Sequence, residues 1–218
     1  QMKKYGQEIR DEGPKWHNIK AGTPTMGGTV FLASIILTSI WVGAWQNKLT
    51  SYLFISLFIL LLYGALGFLD DFIKIFKKRN MGLNSLQKLI GQIIGGLVFY
   101  VVLLSSQMPH TVNLFGYSLS LAFLYPVFVV IWLVGFSNAV NLTDGIDGLV
   151  AGLGTISFAT YAVIAWHQNQ IDLLIICLSV IGGLTGFFGF NHKPAKIFMG
   201  DVGSLALGGL LATMSILL

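Results

Sequence analysis

The chain has 218 residues, of which 55% are hydrophobic and only 10% charged, with a formal net charge of +4. Its mean hydropathy is +0.76. A water-soluble domain carries about 25% charged residues; the composition excludes a soluble nucleic-acid-binding module and points to an integral membrane protein. The single cysteine, Cys177, lies inside an apolar stretch. No disulfide can form within the chain, and the residue reads as a small packing group.

Seven apolar stretches follow one another, at Met26–Trp45, Leu49–Leu69, Leu89–Ser106, Leu119–Ser137, Leu149–Trp166, Leu173–Phe190 and Gly203–Leu218. Each approaches the ~20 residues a helix needs to cross a bilayer. Backbone groups in lipid must pair internally, so helices are expected. Gly95, Gly96, Gly182, Gly183, Gly208 and Gly209 let such helices approach closely and permit a homodimer without requiring one. Pro126 falls inside the fourth stretch, which predicts a kink. Between the third and fourth stretches, Gln107–Ser118 predicts a short hairpin around Asn113 to Gly116; His167–Asp172 predicts a tight polar turn. The fold class is thus an all-α polytopic membrane bundle in one domain, 1–218. No cleavable signal peptide is visible. The chain begins at Gln1 in a polar segment and stops at Leu218 in an apolar one, which predicts a fragment of a longer protein.

Threading these spans back and forth sorts the basic residues. Lys3, Lys4, Arg10, Lys15, Lys20, Lys74, Lys77, Lys78, Arg79, Lys88, Lys193 and Lys196 fall on the Gln1 side, and only Lys48 on the other. This bias predicts a cytoplasmic Gln1 side. Asp70, Asp71, Asp144, Asp147 and Asp201 emerge on that same side. A carboxylate near hydrocarbon costs about 3 kcal/mol, so a cluster of them there implies a task. Holding a divalent cation against a phosphate is that expected task.

Four segments on this side carry the chemistry. In Lys20-Ala-Gly-Thr-Pro-Thr-Met-Gly-Gly28, Thr23 and Thr25 offer hydroxyls and the glycines expose backbone N–H groups; Thr25 could equally be a helix N-cap. In Asp70-Asp-Phe-Ile-Lys74, helix is expected to continue from the span. Lys74 then stands at i+4 and i+3 from the two aspartates, on one face. Two aspartates at a helix C-terminus oppose its dipole, which argues for function over an ordinary salt bridge. Lys77, Lys78 and Arg79 suit anionic headgroups, and Lys88 could face headgroups or the site. In Asn138-Ala-Val-Asn-Leu-Thr-Asp-Gly-Ile-Asp-Gly148, Asp144 and Asp147 share a face if helical, and Asn138 and Asn141 add amides suited to a nucleotide or sugar. In Asn191-His-Lys-Pro-Ala-Lys-Ile-Phe-Met-Gly-Asp-Val-Gly-Ser204, Asp201 lies between glycines. Phe198 could stack on a base or anchor at the interface, and His192 suits a headgroup or phosphate.

These segments, together with Glu-Gly-Pro at 12–14 and Gly-Phe-Leu at 67–69, resemble the polyprenyl-phosphate N-acetylhexosamine-1-phosphate transferase superfamily. Within it, the Thr-Pro-Thr-Met-Gly-Gly run at 23–28 is similar to the branch acting on phospho-N-acetylmuramoyl-pentapeptide; members acting on N-acetylglucosamine phosphate usually carry Arg-Leu after the proline. Ile146 and Val202 depart mildly from the family pattern, where leucine and threonine are commoner. The family also implies a first span, further C-terminal spans and a histidine-rich loop that this stretch lacks. The resemblance implies Mg²⁺-dependent transfer from UDP-MurNAc-pentapeptide to undecaprenyl phosphate, yielding UMP and the first lipid-linked peptidoglycan intermediate (lipid I), at the bacterial cytoplasmic membrane. It further implies Asp201, Asp70 and Asp71 as metal and catalytic residues. Lys20, Lys74 and Lys88 would hold phosphates, with Thr25 also at the substrate site. Asn141, Asp144, Asp147, Asn191 and Phe198 would bind uridine and sugar. Three rivals stand beside this reading: a sister enzyme using UDP-N-acetylglucosamine, an ion-coupled transporter, and a catalytically inert scaffold. Transporters place carboxylates near the midplane, whereas these lie at one interface.

Overall fold

The computed structural model describes residues 23–77, 82–106, 111–114 and 117–218. They form seven long helices: α1 (Gly28–Trp45), α2 (Ser51–Phe76), α3 (Ser85–Ser105), α4 (Tyr125–Thr143), α5 (Leu149–His167), α6 (Ile171–Asn191) and α7 (Gly200–Leu217). All seven are long and apolar enough to cross a membrane. The expected hairpin is present between α3 and α4. β1 (Thr111–Leu114) pairs antiparallel with β2 (Tyr117–Ser120), with Thr111 opposite Ser120 and Leu114 opposite Tyr117.

Polar residues punctuate the apolar text where the helices start. The Thr50 hydroxyl accepts from Leu53 N at 3.3 Å to begin α2. Asn84 and Gln87 form a reciprocal capping box at the start of α3, at 2.7 and 3.0 Å. Such caps satisfy backbone donors that the helix leaves orphaned. At the opposite end from Asp70, the Thr50 hydroxyl also donates to the buried Asp172 carboxylate, which joins the starts of α2 and α6.

Two expectations about local structure are corrected here. α4 starts at Tyr125, later than the apolar run suggests, because β2 and a 3₁₀ turn at Ala122–Leu124 take up its first residues. Pro126 therefore sits in the first turn of α4, where its missing N–H costs nothing, and does not kink the helix. α1 begins after Gly27, without a side-chain cap, so Thr25 is not its N-cap.

α7 is the central rod: every residue from Val202 to Met214 is buried. α2 lies antiparallel along it, and α4, α1 and α5 complete its surroundings; α6 bridges α1 and α5, and α3 rests outside on α4 and α2. In lipid, helices gain little from excluding water from one another, so close packing and interhelical hydrogen bonds hold them. The outward faces carry large exposed apolar side chains such as Leu37, Phe54, Ile94, Ile131 and Ile156. Trp41, Trp45 and Trp166 are exposed near the ends of α1 and α5 remote from Asp70, as membrane-interface indoles are. The other end of the bundle gathers the ionisable groups.

Candidate active site

Three aspartates meet where α2 and α7 come together. Asp70 and Asp71 lie on α2, more than one turn before its end at Phe76. Helix continues through them as expected, but they do not sit at its C-terminus, so the dipole argument for their function lapses. Both are buried, with relative exposures of 1% and 3%. Asp201 is the second residue of α7 and enters from Gly200, whose φ of 77° is open chiefly to glycine.

Each carboxylate is divided in the same way. One oxygen is held by the scaffold: Asp70 Oδ1 accepts from Leu83 N at 2.8 Å, Asp71 Oδ2 from Val202 N at 3.1 Å, and Asp201 Oδ1 from Asn141 Nδ2 at 2.9 Å. The other oxygen faces a shared space containing two ammonium groups. Lys74 Nζ is 2.5 Å from Asp70 Oδ2, 3.4 Å from Asp71 Oδ1 and 3.1 Å from Asp201 Oδ2. Lys88 Nζ, arriving from α3, is 2.6 Å from Asp201 Oδ2 and 3.4 Å from Asp70 Oδ2. Asp70 Oδ2 accepts no well-aligned hydrogen bond despite the Lys74 contact, so its bond to the centre is Coulombic.

These groups fit a divalent cation. One oxygen from each of Asp70, Asp71 and Asp201 falls within 4.8 Å of the others. Hard carboxylate oxygens are the donors Mg²⁺ takes. Three carboxylates against two ammonium groups leave the centre short of positive charge, and burial raises the cost of that deficit. The same lysines are placed to contact anionic oxygens of a ligand.

The remaining expected residues divide into two groups. Lys88 and Asn141 reach the carboxylates directly, Asn141 donating also to Ser204 Oγ at 2.9 Å. Thr25 stands beside Gly200: a Cβ built there would lie 3.2 Å from its hydroxyl and 2.5 Å from Asp71 Oδ2. Asp144 caps the end of α4 and is electrostatically coupled to Asp201, Asp71 and Asp147. Asp147 instead accepts from Ala195 N at 3.2 Å. Asn191 is buried and commits its carboxamide to backbone, accepting from Gly148 N at 3.0 Å and donating to Ile197 O at 2.9 Å. It ties the loop after α4 to the loop before α7, which is a scaffold task. Asn138 likewise commits its amide within the protein, donating to Gln92 Oε1 and Val134 O, both at 2.9 Å. Phe198 is partly buried, and its backbone pairs with Pro24 and Gly27 in a short bridge at 2.8 and 2.9 Å. His192 is exposed, its ring nitrogen 3.1 Å from Phe188 O. Lys20, Lys78 and Arg79 lie outside the described residues.

Sequence reasoning missed Ser204, Gln92 and Gly67. Ser204 carried a faint signal, standing one helical turn below Gly200 at the start of an apolar stretch. Gly67 falls in the Gly-Phe-Leu run at 67–69, but that run does not reveal that what demands glycine there is the backbone of another helix.

Burial, reinforced by the negative charges of Asp201, Asp71 and Asp147, lifts the Asp144 carboxyl from its ordinary 3.8 to about 8. The folded protein thus holds a proton that the unfolded chain gives up above its ordinary value. This contribution to stability is complete below about pH 4. It falls through the interval up to pH 8 and is lost above it. The unfolding temperature in detergent, without added divalent cation, should decline more steeply over that interval in the parent protein than in Asp144→Asn. Parallel profiles would show that Asp144 ionises as an ordinary surface carboxyl.

Residues 52–218 match the family model described as glycosyl transferase family 4. The chain belongs to glycosyl transferase family 4. Within the family, residues 20–32 match the phospho-N-acetylmuramoyl-pentapeptide-transferase signature 1. Relatives bearing that transferase name include those of Enterococcus hirae, 74% identical, Enterococcus faecalis, 68% identical, and Latilactobacillus sakei, 63% identical. Each alignment covers 100% of this chain and 68% of the relative. The family match includes all three site aspartates and both lysines, and the signature includes Thr25 and Met26, which lie beside Gly200, before it ends inside α1.

Proposed function

We propose that this chain transfers phospho-N-acetylmuramoyl-pentapeptide from its UDP-linked donor to undecaprenyl phosphate, with Mg²⁺, at the cytoplasmic face of a bacterial membrane. The observation that carries the reading is the shared division of Asp70, Asp71 and Asp201, each anchored by one oxygen and offering the other to a common centre flanked by two lysines. The names of the close relatives and the signature at 20–32 favour the muramoyl-pentapeptide donor. The location suits the chemistry, since one substrate is embedded in lipid and the other is a soluble, highly charged nucleotide. A site at the membrane surface can receive both.

In this mechanism an oxygen of the lipid phosphate attacks the sugar-linked phosphorus of the donor. The new P–O bond forms as the bond from that phosphorus to the bridging oxygen breaks, and UMP departs with the electron pair. A phosphate monoester has its second pKa near 6, so the nucleophile is already ionised at neutral pH and no side chain need deprotonate it. Asp71 is therefore assigned to positioning rather than to proton removal. Asp70, Asp71 and Asp201 would hold Mg²⁺, which supplies charge neutralisation at the diphosphate. Lys74 and Lys88 oppose the repulsion between two anionic reactants and fix their approach. Asn141 holds Asp201 in the required rotamer. Asp144, at the end of α4, and Asp147, in the loop that follows it, would meet the nucleoside and sugar.

The test is UMP release by purified protein in detergent with undecaprenyl phosphate and each nucleotide donor in turn. Release with the muramoyl-pentapeptide donor and Mg²⁺ is expected. Release with UDP-N-acetylglucosamine alone would move the chain to the sister activity. No release with either donor would overturn the transferase reading.

A further inference from the structure

Beneath the carboxylates lies a buried polar cluster that the mechanism above does not use. Gln92 of α3 is only 1% exposed. Its Nε2 donates to Ser137 Oγ at 3.1 Å, and its Oε1 accepts from Asn138 Nδ2 at 2.9 Å; both partners are on α4. Its backbone carbonyl accepts from the Tyr63 hydroxyl of α2 at 2.9 Å. One glutamine thus connects three helices, with both ends of its side chain committed to α4.

The helical spacing gives this cluster a consequence at the site. Lys88 precedes Gln92 by four residues, and Asn141 follows Ser137 by four, so both stand one turn above the clamp on the same faces. Lys88 contacts Asp201 Oδ2 at 2.6 Å, and Asn141 donates to Asp201 Oδ1 at 2.9 Å. The two oxygens of one carboxylate are therefore gripped from two helices, and the relative register of those helices sets the carboxylate's orientation. Gln92 supplies the polar contacts between α3 and α4 at this level, and the apolar packing of Gly96 on Val130 and of the buried Phe99 comes one and two turns further along. The next inward positions are Gly95, against the Tyr63 ring, and Gly96, against Val130, and neither contributes a side chain of its own. Leu89, Ile90 and Ile94 face outward.

We infer that Gln92 is a positioning residue for the transfer reaction: it locks α3 to α4 so that Lys88 and Asn141 hold Asp201 in its working rotamer. The inference rests on the proposed transferase activity, but its structural half can be measured without it. Spin labels at Leu97→Cys and Ile131→Cys, both on outward faces, report the α3–α4 separation. Gln92→Leu, which preserves bulk and removes both hydrogen bonds, should broaden that distance distribution. An unchanged distribution overturns the clamp, whatever the parent protein's activity. In turnover assays, Gln92→Leu should lower kcat about tenfold or more, with KM for the nucleotide donor nearly unchanged, since small misplacements of reacting groups act on the chemical step. In an Asn141→Ala background the same change should cost less than about twofold further, because the two residues act through one contact. Multiplicative losses, or a lowered unfolding temperature with kcat intact, would reduce Gln92 to a packing role. Asn138→Ala, which removes only the donor to Gln92 Oε1, should move every readout in the same direction by a smaller amount. If Gln92→Leu does not fold, this variant alone decides the matter. Absence of turnover in the parent protein would instead indict the transferase reading.

Discussion

Asp201→Asn is expected to reduce UMP release about a thousandfold, the scale on which one preorganised electrostatic contact acts in a water-poor site. The change is nearly isosteric, but it replaces an anionic oxygen with an NH₂ group or a neutral carbonyl. If the carbonyl keeps its hydrogen bond from Asn141, the new amide donor points at Lys74 and Lys88, two further donors that sit 3.1 and 2.6 Å from Asp201 Oδ2 in the parent. The centre loses one of its three carboxylates, the one that accepts hydrogen bonds from both lysines. The backbone has independent support. Gly27 N and Gly28 N donate to Phe198 O and Met199 O, each at 2.9 Å, and Val202 N donates to Asp71. The variant should therefore purify and unfold within a few degrees of the parent, so that its lost turnover cannot be ascribed to misfolding. Turnover within about tenfold of the parent at saturating Mg²⁺ would place Asp201 outside the reaction, since that is far less than such contacts contribute.

The parts of this molecule that sequence exposes are those where a residue's chemistry conflicts with its surroundings. Apolar runs long enough for a bilayer must be helices, because lipid offers no partner for a free backbone group. All seven helices follow from that one rule, and their ends shift only where polar punctuation is ambiguous. Leu119–Leu124 is apolar enough to read as span, yet forms the end of a strand and a 3₁₀ turn. Asp70, Asp71, Asp201 and Lys88 are legible for the same reason: charges beside hydrocarbon need a task. The dipole argument for Asp70 and Asp71 does not hold, since α2 runs on to Phe76. Residues whose role depends on a partner in another helix are not legible in this way. Asn191 and Asn138 carry the amides expected of a sugar-binding loop, and each makes hydrogen bonds that tie segments of the protein together. Gln92 looks like one polar residue at the edge of a span until α4 is set beside it.

Gly67→Ala is expected to damage both stability and catalysis, although helix propensity alone predicts the reverse. Alanine is favoured over glycine inside a helix by about 1 kcal/mol. At Gly67, however, a Cβ would lie 2.1 Å from the carbonyl oxygen of Asp201, 2.4 Å from its carbonyl carbon and 2.6 Å from Val202 N. These are backbone atoms in the first turn of α7, and no flexible side chain can yield. Non-bonded carbon contacts are comfortable at about 3.5–4.0 Å, so α2 and α7 must separate by roughly an ångström or more. Overpacking of this kind costs about 1–3 kcal/mol and outweighs the propensity gain. The separation falls one turn from Asp70 and Asp71, at the residue that carries the third carboxylate. The 4.8 Å cluster widens, Val202 N is drawn away from Asp71, and turnover should fall with the unfolding temperature. Gly186→Ala is the matched control, because a Cβ there meets nothing within 4 Å. That variant should match or slightly exceed the parent in stability and leave turnover unchanged. If Gly67→Ala behaves like Gly186→Ala in both measurements, α2 and α7 are not in backbone contact at this level, and the carboxylates do not owe their proximity to that seam.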